Sequence, residues 1–296
     1  MSKRNLLSPS DFSHDELEDL LELATQVKDS DTGQVLAGRT LGMLFFDPSL
    51  RTRVSFDVAM TQLGGHCIQI DADREIYDLE PKEQVVMDGV AEEHVKDAAR
   101  TLSRYVDVLG VRQISRTGDW QRDRQDLLLR SYAEHASVPV INLESMQQHP
   151  CQAFADVMTI REKLVNAQNR KLTIAWSNHP EPKSLGVAHS TAISAAMVGM
   201  DVTIAYPLGF ELDNEVLEEV RAHADKSGGS LSLVNDLQSG VKNCDVLYAR
   251  SWASHKYWDD SEREAQVKRS LQSWRIDKEL MQQTNNALFM HSLPVR

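Results

Sequence analysis

Apolar positions along this chain recur at helical spacing in some stretches and as short unbroken runs in others, and the switches between them mark its elements. Residues 13–28 set Leu17, Leu20, Leu21, Leu23, Ala24 and Val27 behind Ser13 and Glu16, the two members of a capping box, and predict an amphipathic opening helix. Strand-length runs over 41–46, 67–70, 106–111 and 138–143 then alternate with helical stretches over 51–63, 92–105 and 123–134. After a helix over 149–164 and a polar break at 166–170 the pattern restarts. Strands over 172–176, 202–206, 231–234 and 246–249 alternate with helices over 185–198 and 214–224, and a last apolar strand covers 287–290. Such alternation builds mostly parallel sheets. The expected fold is therefore α/β, with two doubly wound parallel-sheet domains over residues 1–145 and 146–296. Ligands of open α/β sheets lie beyond the carboxyl ends of the strands, which puts the expected active site in the cleft between the domains.

A length of 296 residues suits two such domains. Lys and Arg number 32 against 44 Asp and Glu, a net charge of −12 that repels nucleic acid, and no local basic face reverses it. A few converging arginines can still hold a small anion. No run of 18 apolar residues predicts a membrane span, the N-terminal MSKRNLLSPSDF lacks the apolar core of a signal peptide, and a cytoplasmic chain is expected. Cys67, Cys151 and Cys244 are odd in number and scattered, which predicts reduced thiols without a disulfide framework or a zinc site.

Residues 44–66, LFFDPSLRTRVSFDVAMTQLGGH, hold the densest chemistry. Asp47, Pro48 and Ser49 break an apolar strand, and a helix follows with Val54, Ala59, Met60 and Leu63 at its spacing and Ser49 as natural N-cap. Arg51, Thr52 and Arg53 occupy the first turn, where the helix dipole favours anionic side chains. An anion gripped by the free amides, the Ser49 and Thr52 hydroxyls and the guanidiniums accounts for two cations there. An ordinary helix start, its arginines in solvent or paired with Asp47 and Asp57, accounts for them as well.

PSLRTRVSF resembles the carbamoyl-phosphate signature of the aspartate and ornithine carbamoyltransferase family, and two further family motifs follow in order: HPCQ at 149–152 and HSLPVR at 291–296. The resemblance covers essentially the whole chain and looks closest to the branch that carbamoylates N-acylated ornithine. It implies that Ser49, Leu50, Arg51, Thr52 and Arg53 hold the phosphate of carbamoyl phosphate, that Arg112 at the end of DVLGVR joins them, and that His149 and Gln152 bind the carbamoyl group. Tyr77 stands where the acylornithine branch has a Trp that reaches a neighbouring subunit's site, which implies a homotrimer with shared sites. The family continues beyond the position of Arg296, so the resemblance implies a second domain truncated at its C-terminus.

Carbamoyl transfer needs phosphate held, one carbonyl oxygen polarised and an amine aligned, with neither metal nor organic cofactor. Thr52, Arg112 and His149 would polarise the oxygen, each donor of such a site being worth about 3 kcal/mol, and alignment can supply on the order of 7 to 11 kcal/mol. The resemblance makes Arg51, Thr52, Arg112, His149 and Gln152 the catalytic set. An alkylammonium titrates near about 10.4, so the attacking amine must lose a proton. The resemblance implies that carbonyls around His291, Ser292 and Leu293 orient it, with Ser292 in place of the family's cysteine. Ser292 and Leu293 therefore stand beside both ligands.

YARSWASHKYW lacks the SMG loop of ornithine transcarbamylases, which speaks against free ornithine. The acylornithine branch implies Glu144, Arg250, Glu92, Ser292, Leu293 and Arg296 as substrate-binding residues, with Arg250 replacing a lysine. Glu92 stands where the succinylornithine branch has proline, and a carboxylate there selects acetyl over succinyl by repulsion. The expected reaction converts carbamoyl phosphate and N-acetylornithine into N-acetylcitrulline and phosphate in arginine biosynthesis. The competing readings are N-succinylornithine, ornithine or another amine as acceptor, and a catalytically silent phosphate-binding relative.

Overall fold

The computed structural model describes residues 3–30 and 32–295. Arg296, an expected substrate ligand, lies outside the described residues. The chain divides into two units, and not by a single cut. The first unit takes the chain through Asp11, then Glu22–Thr117 and Gln121–Pro150; the second takes Phe12–Leu21, Gly118–Trp120 and the chain from Cys151. Both early segments are held in the second unit by aromatic rings: Phe12 lies edge-on to Phe154 at 6.3 Å, and Trp120 stacks on His255 at 5.6 Å.

The opening helix His14–Asp29 begins with the reciprocal bonds its sequence predicts: Ser13 N–H donates to Glu16, and Glu16 N–H donates to the Ser13 hydroxyl. The first unit contains β1 (Thr40–Phe45), β2 (His66–Asp71), the short pair β3 (Leu79–Glu80) and β4 (Glu93–His94), then β5 (Val108–Gln113) and β6 (Val140–Ser145). Its sheet runs β2-β1-β5-β6, all parallel. Leu41, Met43 and Phe45 of β1 pack with Met60 and Leu143, while Leu44 packs with Leu109, Val111, Tyr132 and Val140. Both faces are thus buried, and side chains of this size each contribute about 1.5–3 kcal/mol.

Helix Val95–Leu102 starts later than its periodicity predicts. Glu93 and His94 pair with Leu79 and Glu80, and the His94 ring accepts from Lys96 N–H as the cap, so Glu92 precedes a strand instead of opening a helix. In helix Arg51–Gln62 the expected apolar face is also corrected. Met60 is buried and Phe56 packs with it, but Val54 and Ala59 are exposed.

The second unit contains β7 (Lys171–Trp176), β8 (Asp201–Ala205), β9 (Ser230–Val234), β10 (Val246–Arg250) and β11 (Leu288–Met290), in the parallel order β11-β10-β7-β8-β9. Helix Gly186–Met197 is buried along its whole length, as its small and apolar residues require. Helix Ser261–Ser270 has no apolar stripe to announce it. It is anchored instead by a Glu264–Lys268 pair at 3.0 Å, both side chains nearly inaccessible. Among the described residues no helix is long and apolar enough to cross a membrane.

In each sheet the strand order reverses once, between β1 and β5 in the first unit and between β7 and β10 in the second. Such reversals leave a crevice at the carboxyl ends of the two strands. The segment 47–53 follows β1, Arg112 is the penultimate residue of β5, and Arg250 ends β10.

Candidate active site

In the first unit the chain leaves β1 through Asp47, whose carboxylate accepts from Ile114 N–H at 2.6 Å and so ties this turn to the segment after β5. Burial raises the Asp47 pKa. Leu50, before helix Arg51–Gln62, already has helical dihedrals, and the Ser49 hydroxyl accepts from Thr52 N–H at 3.3 Å, the bond expected of a Ser49 cap. The Arg53 guanidinium lies 3.9 Å from the centre of the Phe45 ring, a cation–π contact that holds it against the end of β1. Arg51 and Leu50 are exposed, and no acidic side chain occupies the first turn.

Arg112, Glu144 and His149 form one cluster. The Arg112 Nη1 donates to Glu144 Oε2, and His149 Nε2 stands 3.6 Å from the same oxygen; all three side chains are 10–12% exposed. A register shift brings the first two together. Val111 faces Asn142, but Arg112 faces Glu144, so Leu143 is an extra residue in β6 and Glu144 is turned to the Arg112 position. Glu144, expected to bind the acylated amino acid, also pairs with Arg112.

Asp126, absent from the expected site, shapes the segment that carries Glu144 and His149. It precedes helix Leu127–His135 in a left-handed conformation but caps nothing with its side chain. Its carboxylate instead accepts from the Ser145 hydroxyl at 2.5 Å and from the Met146 and Gln147 amides at 3.2 and 3.4 Å. Asn142 adds bonds to the Leu7 and Gln148 carbonyls. Burial is the strongest influence on Asp126 and raises its pKa to about 6 despite these donors. The sequence offers only an acidic residue inside the helix expected over 123–134, which gives no sign of this role.

In the second unit Gln152 lies in the first turn of helix Pro150–Leu164 and donates from Nε2 to Asp156 Oδ1 at 2.8 Å. Arg250 donates to the Ser292 hydroxyl at 2.8 Å, and Ser292 is buried. Ser292 therefore orients Arg250 through its side chain, a bond the family's cysteine would make only weakly. His291 Nδ1 contacts the Ser292 carbonyl, and burial lowers the His291 pKa. Leu293 and Tyr77 are 59% and 62% exposed, and Glu92 is exposed, so these three are presented outward by their own units. No disulfide joins Cys67, Cys151 and Cys244, and among the described residues no group of three or more His, Cys, Asp or Glu is placed to hold a metal ion.

Residues 4–162 match the carbamoyl-P binding domain of the aspartate/ornithine carbamoyltransferases, and residues 151–296 match their Asp/Orn binding domain. The chain belongs to the aspartate/ornithine carbamoyltransferase family. It is similar to N-acetylornithine carbamoyltransferase of Xanthomonas campestris pv. campestris, 36% identical over all of this chain and 88% of the relative. It is similar as well to ornithine carbamoyltransferase of Pyrococcus abyssi, 37% identical over 98% of this chain and 84% of the relative. Among solved structures, acetylornithine transcarbamylase complexed with acetylcitrulline matches with a TM-score of 0.96 and 36% identity over 99% of this chain and 88% of that one. Identity alone does not separate acceptors within the carbamoyltransferase family, since 36% and 37% are equivalent; the residues around the acceptor must do so.

Proposed function

We propose that this chain transfers the carbamoyl group of carbamoyl phosphate to the δ-amine of N-acetylornithine, giving N-acetylcitrulline and phosphate, in arginine biosynthesis in the cytoplasm. The similarity to acetylornithine transcarbamylase in complex with acetylcitrulline carries this reading. The loop after β10 supports it, because RSWASHKYW takes the place of the SMG loop for a free amino acid.

In this reading Ser49, the Leu50 amide, Arg51, Thr52 and Arg53 hold the phosphate. Arg112 and His149, with Thr52, donate to the carbonyl oxygen as it becomes an oxyanion. The neutral amine attacks the carbonyl carbon, a C–N bond forms, and the C–O bond to phosphate breaks as phosphate leaves with the amine's proton. Glu144 keeps Arg112 fixed, and Arg250, oriented by Ser292, meets the acceptor's α-carboxylate.

Glu92 sets the acyl group in this proposal. Two like charges about 4 Å apart at an effective dielectric near 20 repel by roughly 4 kcal/mol, enough to exclude a succinyl carboxylate while an acetyl group is untouched. A point variant of N-acetyl-L-ornithine transcarbamylase has been solved with carbamyl phosphate and N-succinyl-L-norvaline. A citrulline-forming assay should show kcat/KM for N-acetylornithine at least a hundredfold above that for N-succinylornithine or ornithine, and Glu92→Pro should narrow the acetyl-to-succinyl ratio at least tenfold. Preference for ornithine would assign the chain to the other branch, and an unmoved ratio in the variant would remove Glu92 from the acyl pocket.

We place the chain in a homotrimer with shared sites. Leu50, Val54 and Val58 recur every fourth residue on one helix and are 72%, 54% and 46% exposed, and Val86 and Val90 are 79% and 85% exposed. Subunit contact would remove this apolar surface from water. Mixing inactive Tyr77→Ala chains with inactive Arg51→Ala chains should restore part of the activity. No recovery, with mixed assemblies verified by mass spectrometry, would leave Tyr77 outside any neighbour's site.

A further inference from the structure

Asp156 lies four residues beyond Gln152 on the same helix, on the same face, and is 5% exposed. Its Oδ1 accepts from Gln152 Nε2 at 2.8 Å and its Oδ2 from the Thr191 hydroxyl at 3.3 Å. Tyr248 and Arg250 of β10 are the titratable and charged groups that face it from the sheet, and Thr191 faces it from helix Gly186–Met197. A buried carboxylate amid a guanidinium, a phenol, a hydroxyl and an amide is more than packing requires.

We propose that Asp156 is the positioning residue that fixes the Gln152 amide with its carbonyl oxygen turned away from the carboxylate, as the acceptor for the carbamoyl amino group. The inference rests on the carbamoyltransferase reading and deepens it. An ionised carboxylate only accepts hydrogen bonds, so the NH2 end of Gln152 must face Asp156 and Oε1 must face the opposite way. The two ends of an amide are nearly equal in size, so without such a partner the group can sit either way round. Only one orientation suits the donor. The carbamoyl group presents a carbonyl oxygen, for which Thr52, Arg112 and His149 are donors, and an amino group, which needs an acceptor. Gln152 turned wrongly would offer N–H to N–H. Burial raises the Asp156 pKa to about 7, so the acceptor-only form prevails at pH 8.

The test is calorimetry at pH 8 on the full chain, with carbamoyl phosphate and inorganic phosphate as separate probes, for the parent, Asp156→Asn, Gln152→Ala and the double variant. An asparagine side chain can donate as well as accept, so Asp156→Asn should weaken carbamoyl phosphate about tenfold and leave inorganic phosphate within about twofold, the size of one hydrogen bond. In the Gln152→Ala background the same substitution should add less than about twofold. Unchanged affinity for carbamoyl phosphate, equal weakening of both probes, or a full tenfold loss without Gln152 overturns the assignment and leaves the carbamoyltransferase reading intact. A parent chain that binds phosphate but not carbamoyl phosphate overturns both. A second measurement needs no variant: in nitrogen-15-labelled protein the Gln152 side-chain amide signal should move as pH goes from 6 to 8.5, and a signal that stays in place overturns the assignment.

Discussion

Arg112→Ala should reduce kcat/KM by a factor of at least a hundred to a thousand and lower the melting temperature at the same time. In the proposed mechanism the substitution removes one donor to a developing oxyanion, about 3 kcal/mol. The stability loss has a separate origin. Glu144 has a side chain only 10% exposed and forms an ion pair with Arg112, so the substitution takes the guanidinium from a buried carboxylate and leaves it His149 at 3.6 Å, a loss of up to about 3–5 kcal/mol. A second substitution separates the two effects. Arg112→Ala with Glu144→Gln removes the buried charge that has lost its guanidinium, and should regain most of the melting temperature and none of the rate. If the single variant melts with the parent, Glu144 is not a buried counter-ion; if the double variant regains activity, Arg112 is not a donor to the transition state.

Asp126→Asn should change how stability depends on pH. The folded pKa of Asp126 is raised to about 6, from about 3.9 in an unfolded chain. Between those values the folded state holds a proton that the unfolded state has lost, so the parent loses stability as pH rises from about 4 through 6. The loss amounts to about 3 kcal/mol, at 1.36 kcal/mol per pH unit. The asparagine variant lacks this step. Melting curves from pH 4 to 7.5 should show the parent falling relative to the variant by several degrees, most of it below pH 7. Parallel curves would mean that Asp126 is no more acidic unfolded than folded. The variant also keeps one acceptor where the carboxylate has two, so the Ser145 and Met146–Gln147 donors compete for it. Weaker carbamoyl phosphate binding should accompany the flatter pH profile.

The elements legible in the sequence are those whose apolar runs pack against a sheet. Every long strand of both sheets lies within two residues of its predicted start, the central ones as apolar runs buried on both faces and the edge strands β2 and β9 as alternating ones. Helix Ser261–Ser270 was not legible, since what anchors it is an ion pair and not a stripe. The site divides in the same manner. Arg51–Arg53, Arg112 and His149–Gln152 stand out because their motifs are contiguous. Asp126 and Asp156 do not, because each works through a partner that the fold selects: Asp126 through Ser145, nineteen positions away, and Asp156 through Gln152 one turn earlier. The pairing of Glu144 with Arg112 depends on one extra residue in β6, and periodicity read along a single strand cannot reveal a slip against its neighbour.

The strand order has a consequence for how binding ability arises during folding. The turn proposed to hold phosphate follows β1 and Arg112 is the penultimate residue of β5, and these strands are neighbours in space, with Leu41 opposite Val108, while β2 and the β3–β4 pair intervene in sequence. Closing that loop is the slow, non-local step of a parallel sheet. A chain folded only through β2 has the whole signature from Ser49 to Arg53 and still lacks the crevice. In the proposed function the anion therefore rewards the central β1–β5 pairing, whose strands lie further apart in sequence than those of the parallel β1–β2 and β5–β6 pairs, so ligand binding is coupled to a non-local strand pairing and loosening β5 weakens it.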